Sequence, residues 1–218
     1  MHELKYEFIN NIPIFKCNYC GHCNKEMEAT SFTSVKTRGC CWYFPKYTLL
    51  NIKNILSFGK EDFIISLLHN KNSNISRYSI EVKGSFDEKA YNKFISENEQ
   101  VKHSFDYRLF FRKCSFVADK GCSIDFPLRP HPCNLYLCRN IITTCGKDYS
   151  TFSRERKDYF SYCNYFNEYL EDALMDKNLD LISSPLDTLE FLKNISIPNF
   201  EPSKIDSIIF NHHGDVSI

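Results

Sequence analysis

The chain has 218 residues, and its basic and acidic side chains balance at 27 each, so the formal net charge is zero. That balance gives no electrostatic reason to expect nucleic acid or an anionic membrane as the main partner. With 43% hydrophobic and 15% aromatic residues the chain can bury an ordinary core without disulfide staples, yet it carries 11 cysteines.

An odd cysteine count argues against a secreted disulfide framework, as does a length beyond that of small stapled scaffolds. The opening MHELKYEFINNIPIFK lacks an apolar signal core, because Glu3, Glu7 and Lys16 interrupt it. No stretch approaches the roughly 20 apolar residues of a membrane helix. In a reducing compartment, thiols grouped at two-residue gaps read as metal ligands, and a cytoplasmic location is expected.

In chain order, residues 1–16 read as a short lead-in, with Phe8, Ile12, Ile14 and Phe15 available to pack on the core. Residues 17–47 hold the first cysteines and little regular structure. From Thr48 the pattern predicts a helix through Leu49, Leu50, Ile52, Ile55 and Leu56, with Thr48 as N-cap and Gly59 as its close. A second short helix is predicted over Glu61–His69. Arg77–Lys83 alternates as a half-buried strand. Ser85 and Glu88 form an S-x-x-E capping pattern ahead of a helix using Ala90, Tyr91, Phe94 and Ile95.

Tyr107–Phe111 reads as a further strand. The run from Arg112 to Cys138 contains Gly121, Pro127, Pro130 and Pro132, which argues for successive turns rather than a long helix or central strand. Residues 154–175 give the strongest helical stripe: Tyr159, Tyr162, Cys163, Phe166, Tyr169, Leu170, Ala173 and Leu174. Ser184 and Pro185 make an N-cap and first-turn pair for a last helix ending near Lys193. The expected class is α+β: a small, irregular, cysteine-rich metal-binding core with short strands, covered by several helices including a C-terminal helical segment. The expected division is a cysteine-cluster domain over 1–150, interrupted by a helix and strand insert at 48–107, and a helical extension over 151–218 packing on it.

Cys17, Cys20 and Cys23 stand in FKCNYCGHC, Cys40 and Cys41 in RGCCWYF, and Cys114, Cys122, Cys133 and Cys138 in the turn-rich run. Two thiolates three residues apart can grip one ion with little added loop-closure cost. C-x2-C-x2-C is also how an iron–sulfur ligand run opens, whereas zinc pairs C-x2-C with distant cysteines, so zinc, iron and a 4Fe-4S cluster all stay open. Thiolate sites are anionic, and Lys16, Lys25, Arg112, Lys113, Arg129 and Arg139 flank the cysteines. Arg129, held between turn prolines, is the cation expected to turn towards the thiols without binding the ion. Of the adjacent pair Cys40 and Cys41, one is expected to bind and the other to pack. Cys163 on the helical stripe reads as a buried small hydrophobe, Cys145 as a thiol without partner spacing, and His22 and His131 as non-ligands.

The combination of C-x2-C-G-x-C, G-C-S-I and R-P-x-x-C resembles the YkgJ-type cysteine-cluster proteins, also described as a zinc- or iron-chelating domain. Cys17, Cys20, Cys23, Gly121, Cys122, Ile124, Arg129, Pro130 and Cys133 carry the match, and Cys138 stands for the last cysteine. Asn24 replaces the fourth cysteine of the family's opening motif, which makes Cys40 or Cys41 its substitute. The resemblance implies metal chelation. The ion is expected to be mainly structural or stored, in a chain that also engages a protein partner. The alternative is an iron–sulfur enzyme, an oxidoreductase or a protein-modifying enzyme similar to an N-methylase. Against methyl transfer, no glycine-rich loop follows a strand to cradle a nucleotide-like donor.

Overall fold

A computed structural model describes residues 1–19, 43–98, 106–118 and 121–211. The expectations for Cys20, Cys23, Cys40, Cys41, Asn24, Lys25 and His22 lie outside these residues. The class is α+β, with two three-stranded and two two-stranded antiparallel sheets among the described residues.

The N-terminal stretch is a hairpin rather than a lead-in. Strands β1 (His2–Ile9) and β2 (Ile12–Cys17) pair from Ile9↔Ile12 to Leu4↔Cys17. The two turn residues, Asn10 and Asn11, both have positive φ, 51° and 62°. That is the backbone of a mirror-type two-residue turn, which asparagine tolerates and whose twist matches the flanking strands. Leu4 is fully buried, and Ile12, Ile14 and Phe15 are buried as expected. The other edge of β1 takes a strand close to the opposite end of the sequence, Ile208–Phe210, through His2↔Phe210 and Leu4↔Ile208.

The central element is helix α1 (Leu49–Ser57), which follows strand β3 (Lys46–Thr48) and is buried on every side from Leu49 to Leu56. Asn51 and Lys53 find partners within the fold, whereas Asn54 Nδ2 is buried without one among the described residues. Asn51 Oδ1 accepts from the Thr48 N–H at 3.3 Å, so the N-cap is tied to the first turn as Thr48 leads one to expect. Asn167 Oδ1, from a later helix, accepts from the Leu50 N–H at 2.9 Å, satisfying a first-turn donor that has no partner within the helix. Lys53 is buried and its Nζ donates to the Leu192 carbonyl at 3.3 Å; burial lowers its pKa. Gly59, with φ +67°, ends the helix.

Helix α2 (Glu61–Leu68) follows as the pattern predicts. Strands β4 (Ser73–Ser76) and β5 (Ser79–Val82) then form a hairpin, and β3 pairs with β5 through Tyr47↔Ile80. Strand β6 (Ser85–Phe86) precedes helix α3 (Glu88–Glu97). The cap of α3 is Asp87, not Ser85: the Asp87 carboxylate accepts from the Ala90 N–H at 3.0 Å, while Ser85 is spent in β6, paired with Lys113. A second departure is Tyr107–Phe111, which forms a 3-10 helix instead of a strand. The Asp106 carboxylate accepts from the Arg108 N–H, and the rings of Tyr107 and Phe110 meet at 6.3 Å. Residues three apart eclipse one another in a 3-10 turn and face apart in a strand.

The turn-rich run holds strands β7 (Arg112–Lys113), β8 (Val117–Ala118) and β9 (Gly121–Cys122), then a short 3-10 turn and the four-residue helix α4 (His131–Asn134). Helix α5 (Arg139–Cys145) was not legible in the sequence pattern. Helix α6 runs from Tyr149 to Asp176, five residues earlier than the stripe suggests, and buries Phe152, Glu155, Tyr159, Cys163, Leu170 and Leu174. Tyr169, placed on the stripe, is 45% exposed. Helix α7 (Pro185–Asn194) starts at the predicted pair, and strand β10 (Ile208–Phe210) closes the first sheet. One buried cluster takes in Leu4, Ile52, Leu137, Tyr159, Leu189 and Phe210, so both the 1–150 and 151–218 parts feed the same core.

The segment between α7 and β10 is pinned across α6 and the first hairpin. The Tyr162 hydroxyl donates to the Pro198 carbonyl at 2.8 Å, and the Phe200 N–H donates to Asn11 Oδ1 at 2.9 Å. Buried Glu155 accepts from the Tyr6 hydroxyl and from the Ser203 N–H. Burial and then this carboxylate raise the Tyr6 pKa, keeping the phenol a donor.

Asp180 organises the α6–α7 corner. Its carboxylate accepts from the Ser183 N–H at 2.7 Å, the Ile182 N–H at 2.8 Å and the Arg77 Nε at 3.2 Å. The Ser183 N–H, ahead of the Ile182 N–H and Arg77, holds its pKa down at about 2. A carboxyl group with a depressed folded pKa contributes stability that is complete above its unfolded value, about 4, and is lost as pH falls towards the folded one. The stability advantage of the wild type over Asp180→Asn in urea denaturation is therefore expected to be constant above about pH 5 and to shrink between about pH 4 and pH 2. A difference independent of pH across that window would contradict it.

Candidate metal centre

The described cysteines of the expected set lie in or beside short elements held by their surroundings. Cys17 ends β2, Cys114 follows β7, Cys122 lies in β9, Cys133 in α4, and Cys138 is the residue capping α5. No disulfide joins two of them. Cys114, Cys122 and Cys133 line one small cavity, of about 20 Å³, together with Arg129. Cys17, Cys133 and Cys138 line a neighbouring cavity of about 460 Å³, which Arg129 also borders. Cys133 and Arg129 are therefore common to both, and Cys17 lies on the same side of the molecule as the downstream cysteines. Among the described residues no three His, Cys, Asp or Glu side chains are placed to hold a metal ion.

Close approach of backbones brings Cys114 to this place. A Cβ on Gly84 would lie 1.8 Å from the Lys113 carbonyl oxygen and 2.8 Å from the Phe44 ring. Only glycine lets the chain leading into β6 lie this close to β7, and Ser115 Oγ then donates to the Lys83 carbonyl at 2.7 Å. The Phe116 N–H points at the Cys114 sulfur at 3.4 Å. On the next strand, Cys122 pairs with Val117.

Cys133 is positioned from below. His131 and Asn134 of α4 are buried. Asn51 Nδ2 donates to His131 Nδ1 at 3.2 Å, since its Oδ1 is used at the N-cap of α1. The His131 ring meets Phe160 and Tyr159 edge-on at 4.7 and 5.8 Å, and burial lowers its pKa to about 4. A neutral ring in this setting packs and positions α4. Asn134 Nδ2 donates to the Phe126 carbonyl at 2.9 Å, fixing the turn that carries Arg129.

Arg129 folds back on its own turn. Its Nε donates to the Ile124 carbonyl at 2.7 Å and its guanidinium lies 3.9 Å from the centre of the Phe126 ring. No carboxylate pairs with it among the described residues. Lys16 approaches the same ring at 5.5 Å, but Glu7 neutralises it. Arg129 is thus the cation that both thiol-lined cavities share.

Two cysteines belong to the core. Cys163 is fully buried in α6, and burial pushes its thiol up to about 12. Cys145 is buried at the end of α5; burial first, then the Cys17 thiol, raises it to about 11. The influence of Cys17 on Cys145 was not signalled by spacing, because it arises where α5 packs on β10 of the first sheet. Sequence reasoning also missed Tyr47. Its ring is fully buried against Phe63, and its hydroxyl has no hydrogen-bond partner. No family model matches the chain, and neither a curated protein nor a solved structure matches it.

Gly84→Ala is expected to destabilise the fold by about 2–3 kcal/mol, because the atoms it strikes are backbone and cannot rotate away. Urea denaturation of the variant measures this. Unchanged stability would mean that β6 and β7 can part without cost.

Proposed function

We propose that the chain is a metal-binding cysteine-cluster protein whose ion, zinc or a single iron, is mainly structural or stored. What supports this is that Cys114, Cys122 and Cys133, drawn from three separate short elements, line one small cavity with Arg129, although as placed these three thiols do not by themselves form a ligand set. A cavity of about 20 Å³ has room for one water-sized species. That favours a single ion over a cubane at these three thiols. Thiolates suit zinc and iron, and Arg129 offsets their charge. Completing four-coordination draws on the N-terminal set, Cys20, Cys23 and one of Cys40 or Cys41, in keeping with the motif resemblance to zinc- or iron-chelating proteins. A bound metal would add folding energy by cross-linking turns that side-chain hydrogen bonds already position.

A second reading, an iron–sulfur enzyme of oxidoreductase or protein-modifying type, is favoured by the neighbouring cavity. Its volume, about 460 Å³, falls within the range of small-molecule sites, and Cys17, Cys133 and Cys138 face it. A cluster there would be reached from a space large enough for a reactant.

Metal analysis of the anaerobically purified full chain separates these readings. The first expects colourless protein with bound zinc, or one iron without acid-labile sulfide. The second expects brown protein with iron and sulfide. Cys133→Ser is expected to lower bound metal and the melting temperature together, since that thiol borders both cavities. Metal-free protein that melts like the purified form would end both readings.

A further inference from the structure

The larger thiol-bordered cavity, of about 460 Å³, has a lining of mixed character. Buried Phe15, Leu137 and Ile141 give it apolar walls, and the rings of Phe126 and Tyr136 add to them. Five charged side chains border it as well: Lys5, Lys16, Arg129, Glu3 and Glu7. Both carboxylates are already engaged, Glu3 with Lys5 at 3.1 Å and Glu7 with Lys16. Arg129 has no carboxylate partner among the described residues. The lining therefore carries one positive charge in excess, and that charge is the Arg129 guanidinium.

We infer that this cavity binds a small aromatic monocarboxylate, with the carboxylate on Arg129 and the ring among the apolar walls. Arg129 is prepared for that role. Of its five N–H donors, only the Nε–H has an acceptor among the described residues, the Ile124 carbonyl at 2.7 Å. That bond and the Phe126 ring, 3.9 Å from the guanidinium, hold the group in place before any ligand arrives. A carboxylate accepts two parallel bonds from such a fork, and a preorganised donor loses little freedom on binding. Lys16 approaches the same ring at 5.5 Å, so a second cation, although paired, stands close by. The volume lies in the lower part of the range for small-molecule sites, which suits one ring with a short acidic chain. One excess charge matches one carboxylate, whereas a neutral amide would leave Arg129 unpaired. The inference names an occupant for the cavity that the second reading leaves to a reactant, and it requires no ion at the thiols.

The test is calorimetric titration of the reduced full chain with 3-phenylpropionate and with its neutral counterpart, 3-phenylpropionamide. The acid is expected to bind with a dissociation constant of about 1 mM or below, and the amide at least about tenfold more weakly. Arg129→Gln is expected to weaken binding of the acid about tenfold and to leave the amide unchanged. Arg156→Gln removes the same charge from a residue that borders a different cavity, and should bind the acid as wild type does. Melting curves show whether each variant keeps the fold, and the wild-type comparison of acid with amide decides the matter even if Arg129→Gln does not. Equal affinities for acid and amide, no binding of the acid at about 10 mM, or undiminished binding by folded Arg129→Gln would each overturn the inference. An equal loss in Arg156→Gln would overturn it too, by tracing the effect to overall charge. None of these results touches bound metal, so both metal readings would survive such a failure.

Discussion

The contact on which the thiol-bearing region most depends is the buried pair Asn51–His131. One amide performs two tasks. Its oxygen closes the N-terminus of α1, and its nitrogen reaches the neutral imidazole that opens α4. Because α1 is buried on all sides, Asn51 cannot move without disturbing the core. Through His131, the helix that carries Cys133 inherits that fixity, although four residues could never form a stable helix alone. A charged His131 would need a different partner at Nδ1, so the deep burial that keeps the ring neutral is part of the same device.

The periodic segments were legible because their signals are local. α1, α2, β5, α6 and α7 each announce themselves by an apolar period and an end residue, and each lies within a few residues of its expected place. The hairpin was also written in the sequence. Leu4, Tyr6 and Phe8 alternate with Glu3, Lys5 and Glu7, and two asparagines mark the turn, but short strands before a cysteine motif read easily as a lead-in. Tyr107–Phe111 misled for the opposite reason: a run of aromatics has high strand propensity, and tertiary packing on α3 overrode it. β10 could not be read locally at all, since three residues become a strand only when β1 offers them an edge.

The candidate site was proposed from composition and spacing, which do not contain its geometry. Spacing grouped Cys114, Cys122, Cys133 and Cys138 together, whereas the fold divides them between two cavities that meet at Cys133. That division follows from the direction of the chain. α4 packs on β2, and the residues after it, Leu137 and Cys138, line the same cavity as Cys17. No spacing rule contains this, because it depends on where Leu135 and Leu137 find the core. The close approach at Gly84 and the unpartnered hydroxyl of Tyr47 were hidden for a related reason. A close backbone approach and an orphaned hydroxyl are facts about neighbours distant in sequence.

The placement of Arg129 shows how a neutral chain can build a strongly polar site. Most charged side chains near the cavities cancel locally, Lys5 with Glu3 and Lys16 with Glu7, so they add little field. Arg129 is withheld from this pairing. Its Nε is committed to the Ile124 carbonyl and its flat face to Phe126, and the residue borders both cysteine-lined cavities. A lysine could supply the charge but neither the stacking nor the fixed direction. The sequence balances its charges overall, and among the described residues Arg129 borders the cysteine-lined cavities without a carboxylate partner.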